Sequence, residues 1–483
     1  MSGSGGSDRS PSSLRARLAA SGLRTPAAGW GTALIGVYVL VMLVALSAGA
    51  YQPLFFGIGE RGGQGIDFFS VPKAYLNLLH GQSAFDTWRG VAYGPYATWF
   101  VLHPAVALWI GGYLGWLSPW VAYGAWVAIT LVLLIACGQL LAHHAPSPWR
   151  KTLAFGAVLA SPITYLLLHC GNIHGLVVFA VTLILVGLYE LATDASFAGG
   201  IDPRMKVASG LLLSLLTKPV LILVVPALLV ARTTRKLALV SLGVYAGVSL
   251  LFLFVPLLNP QSVGLERLTW LALHPSWVRQ ELNVYVNHFM LSRDMLDNGM
   301  HWLHMVAQSG YAWDHVQVFS LPVLLQSSFG IPVGAFRFVA LVPVALSPLL
   351  FRLPEPRRLL AAAWLVVLVL ATHFLGYAVA WEYQYTQLLV VVGALITFPA
   401  LTERNPRWVK FALASLALYY LPTPYGWLSA GGLTPAEMAV MRLCRVGPAV
   451  LTAAASLGAV VQLLRARQQP KAAIERPLTA AAA

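Results

Sequence analysis

The chain has 483 residues, 58% of them hydrophobic and only 10% charged, with a mean hydropathy of +0.72. Soluble domains carry about 25% charged residues, so a string of soluble domains is excluded and one integral membrane domain is expected. The formal net charge of +14 fits basic cytoplasmic loops; no Lys/Arg stripe interleaved with aromatics points to nucleic acid.

Residues 1–30 are rich in Ser, Gly and Arg and read as a disordered cytoplasmic tail. The apolar run at 31–50 is too long for a signal-peptide core and reads as a retained span. Further long apolar runs lie at about 119–142, 152–169, 175–193, 237–258, 333–351, 359–379, 386–400, 409–422 and 443–464. If these ten runs alternate across a membrane, most basic residues fall on one side. They are Arg9, Arg15, Arg17 and Arg24, then Arg150/Lys151, Arg204/Lys206, Arg232/Arg235/Lys236, Arg352/Arg357/Arg358, Arg404/Arg407/Lys410 and the tail after Arg465. That side is then the cytoplasm, and both termini lie in it. The expected fold is an all-α polytopic membrane domain over 31–465. It has re-entrant helices and extracytoplasmic loops, about 51–118 and 259–332, that carry short amphipathic helices. Residues 466–483 form a second cytoplasmic tail.

Two apolar stretches resist this alternation. Counting 93–116 as a span inverts everything after it, so it reads as an outer interfacial or re-entrant hairpin broken at Pro104 and Gly111/Gly112. The stretch 207–232 has basic loops on both sides. It reads as two half-helices meeting at Lys218–Pro219, an arrangement allowed at membrane depth only where protein or water satisfies the broken backbone.

The polar residues that could carry chemistry crowd the outer side. The first is Asp67 in RGGQGIDFFSVPKAYLNLLHGQ, residues 61–82. Ser70 could cap a helix, Pro72 suits its first turn and Gly81 its end. Val71, Tyr75, Leu78 and Leu79 share one face, as in an amphipathic helix lying in the outer interface. Asp67 then precedes the helix, and on composition alone it reads as a surface capping residue.

The turn HCGNIHG offers His169, Asn172 and His174 for a sugar or phosphate, or merely for the turn itself. Lys218 is a cation deep in an apolar segment, a functional-site hypothesis by default; a snorkelling lysine explains it equally. In AWEYQYTQLL the residues Trp381, Glu382, Tyr383, Gln384 and Tyr385 suit sugar recognition and also an aromatic interface belt. Arg337, Arg442 and Arg445 near outer helix ends suit lipid phosphate or headgroup anchoring. Asp294, Asp297, His301 and His304 share a helical spacing that a solvated face explains better than a metal. The three cysteines show no ligand spacing. No metal or cofactor is expected.

Read in order, GIDFFSVPKAYLNLLHGQSAFD, YGP, GNIHG, LLTKP and WEYQY resemble glycosyltransferase family 87, polytopic enzymes of the GT-C fold. The resemblance spans roughly residues 30–400. It implies a polyprenyl-phosphate-mannose donor, Asp67 as the catalytic acidic residue, Asn172 as the turn asparagine and Lys218 as the tip lysine. Where the family often has His-His, this chain has Tyr383 and Gln384, so a histidine's role there is absent or moved, to His288 or His373.

The expected activity is inverting transfer of a sugar, mannose by resemblance, to a lipid-linked or cell-envelope acceptor on the extracytoplasmic face. Asp67 is the expected base. Lys218, Arg337, Arg442 and Arg445 are expected at the donor phosphate, and Asn172, His174, His288, Trp381, Glu382, Tyr383, Gln384 and Tyr385 at the substrates. The expected partners are the polyprenyl-phosphate donor, the glycan acceptor and membrane lipids. The alternative is a lipid-linked-sugar flippase or transporter without chemistry. It predicts polar residues along a through-membrane path, whereas here they gather on one side.

Overall fold

In a computed structural model the described residues are 26–48, 63–80, 91–96, 100, 102–195, 200–254, 319–331, 338–376, 380–402, 405–423 and 434–466. The expected residues His288, Asp294, Asp297, His301, His304 and Arg337 lie outside them, as do the terminal tails and most of the second outer loop.

The elements of the described chain are all helices. Helix α1 (Pro26–Ala48) is followed by α2 (Ile66–Leu79). Three consecutive pieces, Pro104–Val106, Ala107–Gly111 and Gly112–Leu114, make one short rod, α3, with a widened turn in its middle. Then come α4 (Pro119–Ala142), α5 (Pro148–Leu159), α6 (Pro162–Cys170) and α7 (His174–Thr193). Helix α8 (Pro203–Thr217), a 3-10 turn Pro219–Val224 and α9 (Val225–Val230) precede α10 (Arg232–Phe254). After α11 (Leu321–Phe329), α12 (Val342–Leu346) runs into a 3-10 turn Ser347–Arg352. The chain closes with α13 (Glu355–Gly376), a 3-10 turn Glu382–Tyr385, α14 (Thr386–Thr397), α15 (Pro399–Thr402), α16 (Pro406–Leu416), a 3-10 turn Ala417–Tyr420 and α17 (Pro435–Arg465).

Six of these helices are long and apolar enough to cross a membrane, and seven if α5 and α6, bent by 44° where they meet, form one span. The protein is therefore a multi-pass membrane protein. In their described parts the ten expected runs appear as helix, but in three of them the described helix is too short to reach across. Residues 338–352, α14 and α16 are too short, since a span needs about 20 residues. Helix α14 instead fills the centre of the bundle, with nearly every residue buried.

The break at 218 is as expected. Helix α8 climbs for about 22 Å at 1.5 Å per residue. The chain then turns at the extended Lys218 and returns through the 3-10 turn and α9. Both ends of this hairpin sit at the same end of the bundle. Arg358 Nη1 reaches the Val230 carbonyl at 3.3 Å, and Glu355 Oε1 accepts from the Thr233 amide at 2.9 Å. Two glycines let the α8 arm lie close on α7. A Cβ on Gly187 would meet the Pro203 carbonyl oxygen at 2.7 Å, and one on Gly210 the Ala180 carbonyl oxygen at 2.7 Å. Small residues at such points let backbones approach where lipid gives no hydrophobic drive.

Two expectations need correcting. Residues 104–114 are not a hairpin broken at Gly111/Gly112. They form one rod whose glycines press on α2, because a Cβ on Gly111 would stand 2.8 Å from the Val71 carbonyl oxygen. The rod's other side exposes Trp109 and Tyr113, as an interfacial segment does. Nor does α2 lie on the surface. Phe68 through Ala74, Asn77 and Leu78 are buried, held by α3, α4 and the 91–96 segment.

Charged side chains are also buried away from this outer side. Glu190, 2% exposed, accepts from Lys206 Nζ at 2.6 Å and lies 3.0 Å from His144 Nε2. This cluster ties α7, α8 and the α4–α5 connection together. It lies at the end opposite Asp67, on the side of the basic helix termini.

Candidate functional site

The site is assembled where α2, the α6–α7 turn, the 218 tip and the 3-10 turn 382–385 converge. Helix α2 starts one residue before Asp67, not after it. Its N-cap is Gly65, at φ 74°, and Asp67 lies in the first turn. Ser70 is not the cap; its hydroxyl donates to the Asp67 carbonyl at 2.8 Å. Pro72 falls inside the helix. The start of α2 is pinned by the Gly65 amide, which donates to the His169 carbonyl at 2.7 Å. Phe68 stacks on Trp126 at 6.2 Å, and the Trp126 indole donates to the Gly171 carbonyl at 2.9 Å. Gly171 is required on two counts: its φ is 63°, and a Cβ there would meet Phe68 Cβ at 2.7 Å. The C-cap glycine of α6 thus seats the helix that carries Asp67.

Asn172, the next residue, organises the chemistry. Its Nδ2 donates to Asp67 Oδ2 at 2.8 Å and to the Tyr383 hydroxyl at 2.9 Å. Its Oδ1 accepts from Lys218 Nζ at 3.3 Å and from the His174 amide at 2.8 Å. Lys218 also faces the Tyr383 ring, 5.7 Å from its centroid. His174 Nε2 is 3.0 Å from the Gln384 carbonyl oxygen and so donates to it, which leaves Nδ1 as a lone-pair acceptor with no hydrogen-bond partner among the described residues. Five expected residues, Asp67, Asn172, His174, Lys218 and Tyr383, are therefore in one place, and Gln384 adjoins them.

Asp67 and Lys218 are both partly open to solvent, whereas Asn172, His174 and Tyr383 are buried. Burial pushes the Asp67 carboxyl above the usual carboxylate range. The hydrogen bond from Asn172, the Lys218 charge and Tyr383 pull it part of the way back. A carboxyl so placed ionises closer to neutrality than a surface aspartate.

The remaining expectations separate from this cluster. Arg445, expected at the donor phosphate, is spent on the protein. Its Nε donates to Glu382 Oε1 at 2.6 Å, Nη1 to the Leu418 carbonyl at 3.1 Å, and Nη2 to the Leu421 carbonyl at 2.9 Å and Thr423 Oγ1 at 2.6 Å. Thr423 also bonds Glu382. Glu382 is 4% exposed and braces the turn instead of facing a sugar. Arg442, 1% exposed, donates to Ser327 Oγ at 2.9 Å and ties α17 to α11. Tyr385 is core: its ring stacks on Phe374 at 3.8 Å and its hydroxyl donates to the Phe319 carbonyl at 2.8 Å. Trp381 is half-buried beside the turn. His373 lies in the last turn of α13 at this same end, edge-on to Phe374. Among the described residues no group of three or more His, Cys, Asp or Glu side chains could hold a metal.

Two residues escaped the sequence reading. Gln387 is fully buried one turn beyond Tyr383, and neither of its amide atoms has a hydrogen-bond partner among the described residues. Lys73 is buried within α2.

No family model and no curated protein matches the chain. Among solved structures it is similar to ArnT from Cupriavidus metallidurans bound to undecaprenyl phosphate. That alignment has 15% identity, covers 90% of this chain and 77% of the other, and gives a TM-score of 0.36. So loose a superposition supplies no residue equivalences.

Proposed function

We propose that the protein is a GT-C-type membrane glycosyltransferase of the family 87 kind. It transfers a sugar, mannose by that resemblance, from a polyprenyl phosphate to a lipid-linked or cell-envelope acceptor on the extracytoplasmic face. The observation that carries this reading is the Asn172 side chain, which holds a carboxylate on one side and an ammonium on the other. Through that amide the Asp67 oxygen and the Lys218 nitrogen are at most about 8 Å apart. Inverting displacement at a sugar carbon needs a base and a leaving-group clamp on opposite faces of the ring. Asp67 takes the proton from the acceptor hydroxyl while that oxygen attacks the anomeric carbon. The carbon–oxygen bond to phosphate breaks, its electron pair leaves with the lipid phosphate, and Lys218 stabilises the growing charge. Phosphate is already a good leaving group, so no second carboxyl has to protonate it.

The test uses purified full-length protein in proteoliposomes with synthetic polyprenyl-phosphate mannose and a glycolipid acceptor extract. Product is expected with wild type. Asp67→Asn is expected to abolish it without lowering the melting temperature. Wild-type levels of product from Asp67→Asn would remove the assignment of the base. Donor lipid carried across the bilayer with no sugar transferred would favour a flippase.

A further inference from the structure

Glu190 and Lys206 lie far from Asp67, yet they bear on where Lys218 stands. Helix α7 and the α8 arm of the hairpin are joined at both ends. At the site end Lys218 Nζ donates to Asn172 Oδ1, just before α7, at 3.3 Å. At the other end Lys206 Nζ donates to both carboxylate oxygens of Glu190 at 2.6 Å. The two residues are 3% and 2% exposed, so the pair forms away from water, where either charge alone would be costly. Between these ends the side chains at the close approaches are apolar. Val207 lies over Gly187, and Leu183 and Ile184 lie against Gly210. Glycines and apolar side chains let two helices approach, but they favour one register over the next only weakly; a buried polar pair fixes it.

The lengths agree with a single register. From Glu190 back to His174 α7 rises about 24 Å, and from Lys206 to Thr217 α8 rises about 16 Å. The extended Lys218 adds about 3 Å, and its flexible four-carbon stem spans the remainder to Asn172. That hydrogen bond is already at the long end of its range, so sliding α8 by one turn, about 5.4 Å, toward the basic end would break it. Helix α7 is also held at both levels by the segment that contains α14. His174 Nε2 meets the Gln384 carbonyl at 3.0 Å, and Tyr189 stacks on Phe398 at 4.2 Å. His144 closes the far end, 3.0 Å from Glu190 Oε1 and edge-on to both Tyr189 and Phe398. Helix α7 is thus fixed lengthwise, and Lys206 decides where α8 lies along it. We propose that Lys206, held by Glu190, is a positioning residue for Lys218. The ion pair sets the register of α8 on α7 and so the depth of the tip, roughly 20 Å away. Its kinetic consequence rests on the reading of Lys218 as the donor-phosphate cation; the register itself does not.

The test places spin labels on the full-length protein at Ser118→Cys and Leu216→Cys in the Cys444→Ser background. Ser118 is exposed, and Leu216 is half-buried in the last turn of α8. Glu190→Met/Lys206→Met removes both charges at similar volume, a change that buried ion pairs often tolerate without loss of stability. In that variant the label-to-label distance is expected to shift or broaden by about 5 Å, one turn. The donor KM is expected to rise about tenfold and kcat to change less, with the melting temperature near that of wild type. Lys206→Arg keeps the charge and is expected to keep wild-type distances and KM. If the Met pair does not fold, Glu190→Gln/Lys206→Gln gives the same reading with polar tips. An unchanged distance distribution in the neutral pair would overturn the proposal, whatever the melting temperature, and leave Glu190 and Lys206 an ordinary buried ion pair. If wild type makes no product, the kinetic expectation falls with the transferase reading, while the distances still decide the register.

Discussion

Asp67 is costly to the fold as well as central to the proposed chemistry. Its carboxyl is raised above its ordinary value, chiefly by burial. A raised acid costs stability once pH passes its unfolded value, and the cost grows until pH reaches the folded value. Asp67→Asn is therefore expected to melt higher than wild type at pH 7.5, with the gap closing toward pH 4. Thermal melts at the two pH values check this, and a lower melting temperature at pH 7.5 would contradict it. The same shift sets the acid limb of the activity profile, because the base works only when ionised. Lys218→Met removes a charge that lowers the Asp67 value, so its acid limb should move to higher pH. Its kcat/KM should also fall about a hundredfold, the usual cost of one electrostatic partner at a leaving group. An unshifted limb would separate Lys218 from Asp67. At this scale Asp67, Asn172 and Lys218 were legible in the sequence, since each is a polar residue where the chain is otherwise apolar. The resemblance then gave them roles. Glu382 and Arg445 were misread because sequence shows a charge near an outer helix end but not the partner that neutralises it. Lys73 was hidden by the apolar count of its helix, although its three-and-four spacing with Ser70 and Asn77 was there to read.

At the scale of elements, the site depends on how α8 lies against α7. Lys218 follows the last residue of α8, and Asn172 lies just before α7. The depth of their contact is set by the glycine approaches at 187 and 210. A methyl on Gly210 meets a backbone oxygen, which cannot rotate away, so α8 must move. Gly210→Ala is expected to cost about 1–3 kcal/mol, as overpacking does. It should also raise KM for the donor more than it lowers kcat, because it moves Lys218 and leaves Asp67 in place. A donor KM left at the wild-type value would show that the tip is not positioned by this packing. Glu382 offers a contrasting case. Glu382→Gln leaves the Arg445 guanidinium buried without its counter-charge, a change that costs about 3 kcal/mol or more, and it should lower the melting temperature before it touches sugar affinity. Apolar run length foretold the long spans, and with the basic loops on both sides of 207–232 it foretold the break at Lys218–Pro219. It overestimated the short runs. An apolar stretch of 12 residues looks alike whether it meets lipid or, as α14 does, lies wholly inside the bundle.

The whole molecule is polarised. Arg150, Lys151, Arg204, Arg232, Arg235, Lys236, Arg352, Arg357, Arg358, Arg407, Lys410 and Arg465 all sit at helix termini of one end, with the buried Lys206 beside them. The described cations of the other end, Lys73, Lys218, Arg442 and Arg445, are buried or half-buried around the site. Positive loops stay in the cytoplasm, so for the proposed function this asymmetry predicts a site on the outer face, where a polyprenyl-linked donor needs no soluble nucleotide. Two positions test it. Ser118 is exposed at the site end, just before α4, and Gly200 is exposed at the basic end, just before α8. Cys137 and Cys170 are buried and Cys444 is exposed, so Cys444→Ser gives a background with no accessible thiol. In intact cells a membrane-impermeant maleimide is expected to label Ser118→Cys at once and Gly200→Cys only after permeabilisation. Reversed labelling would move the site to the cytoplasmic face. A donor reaching it there would have to be loaded on the inner leaflet, and the basic termini would then need anionic partners outside.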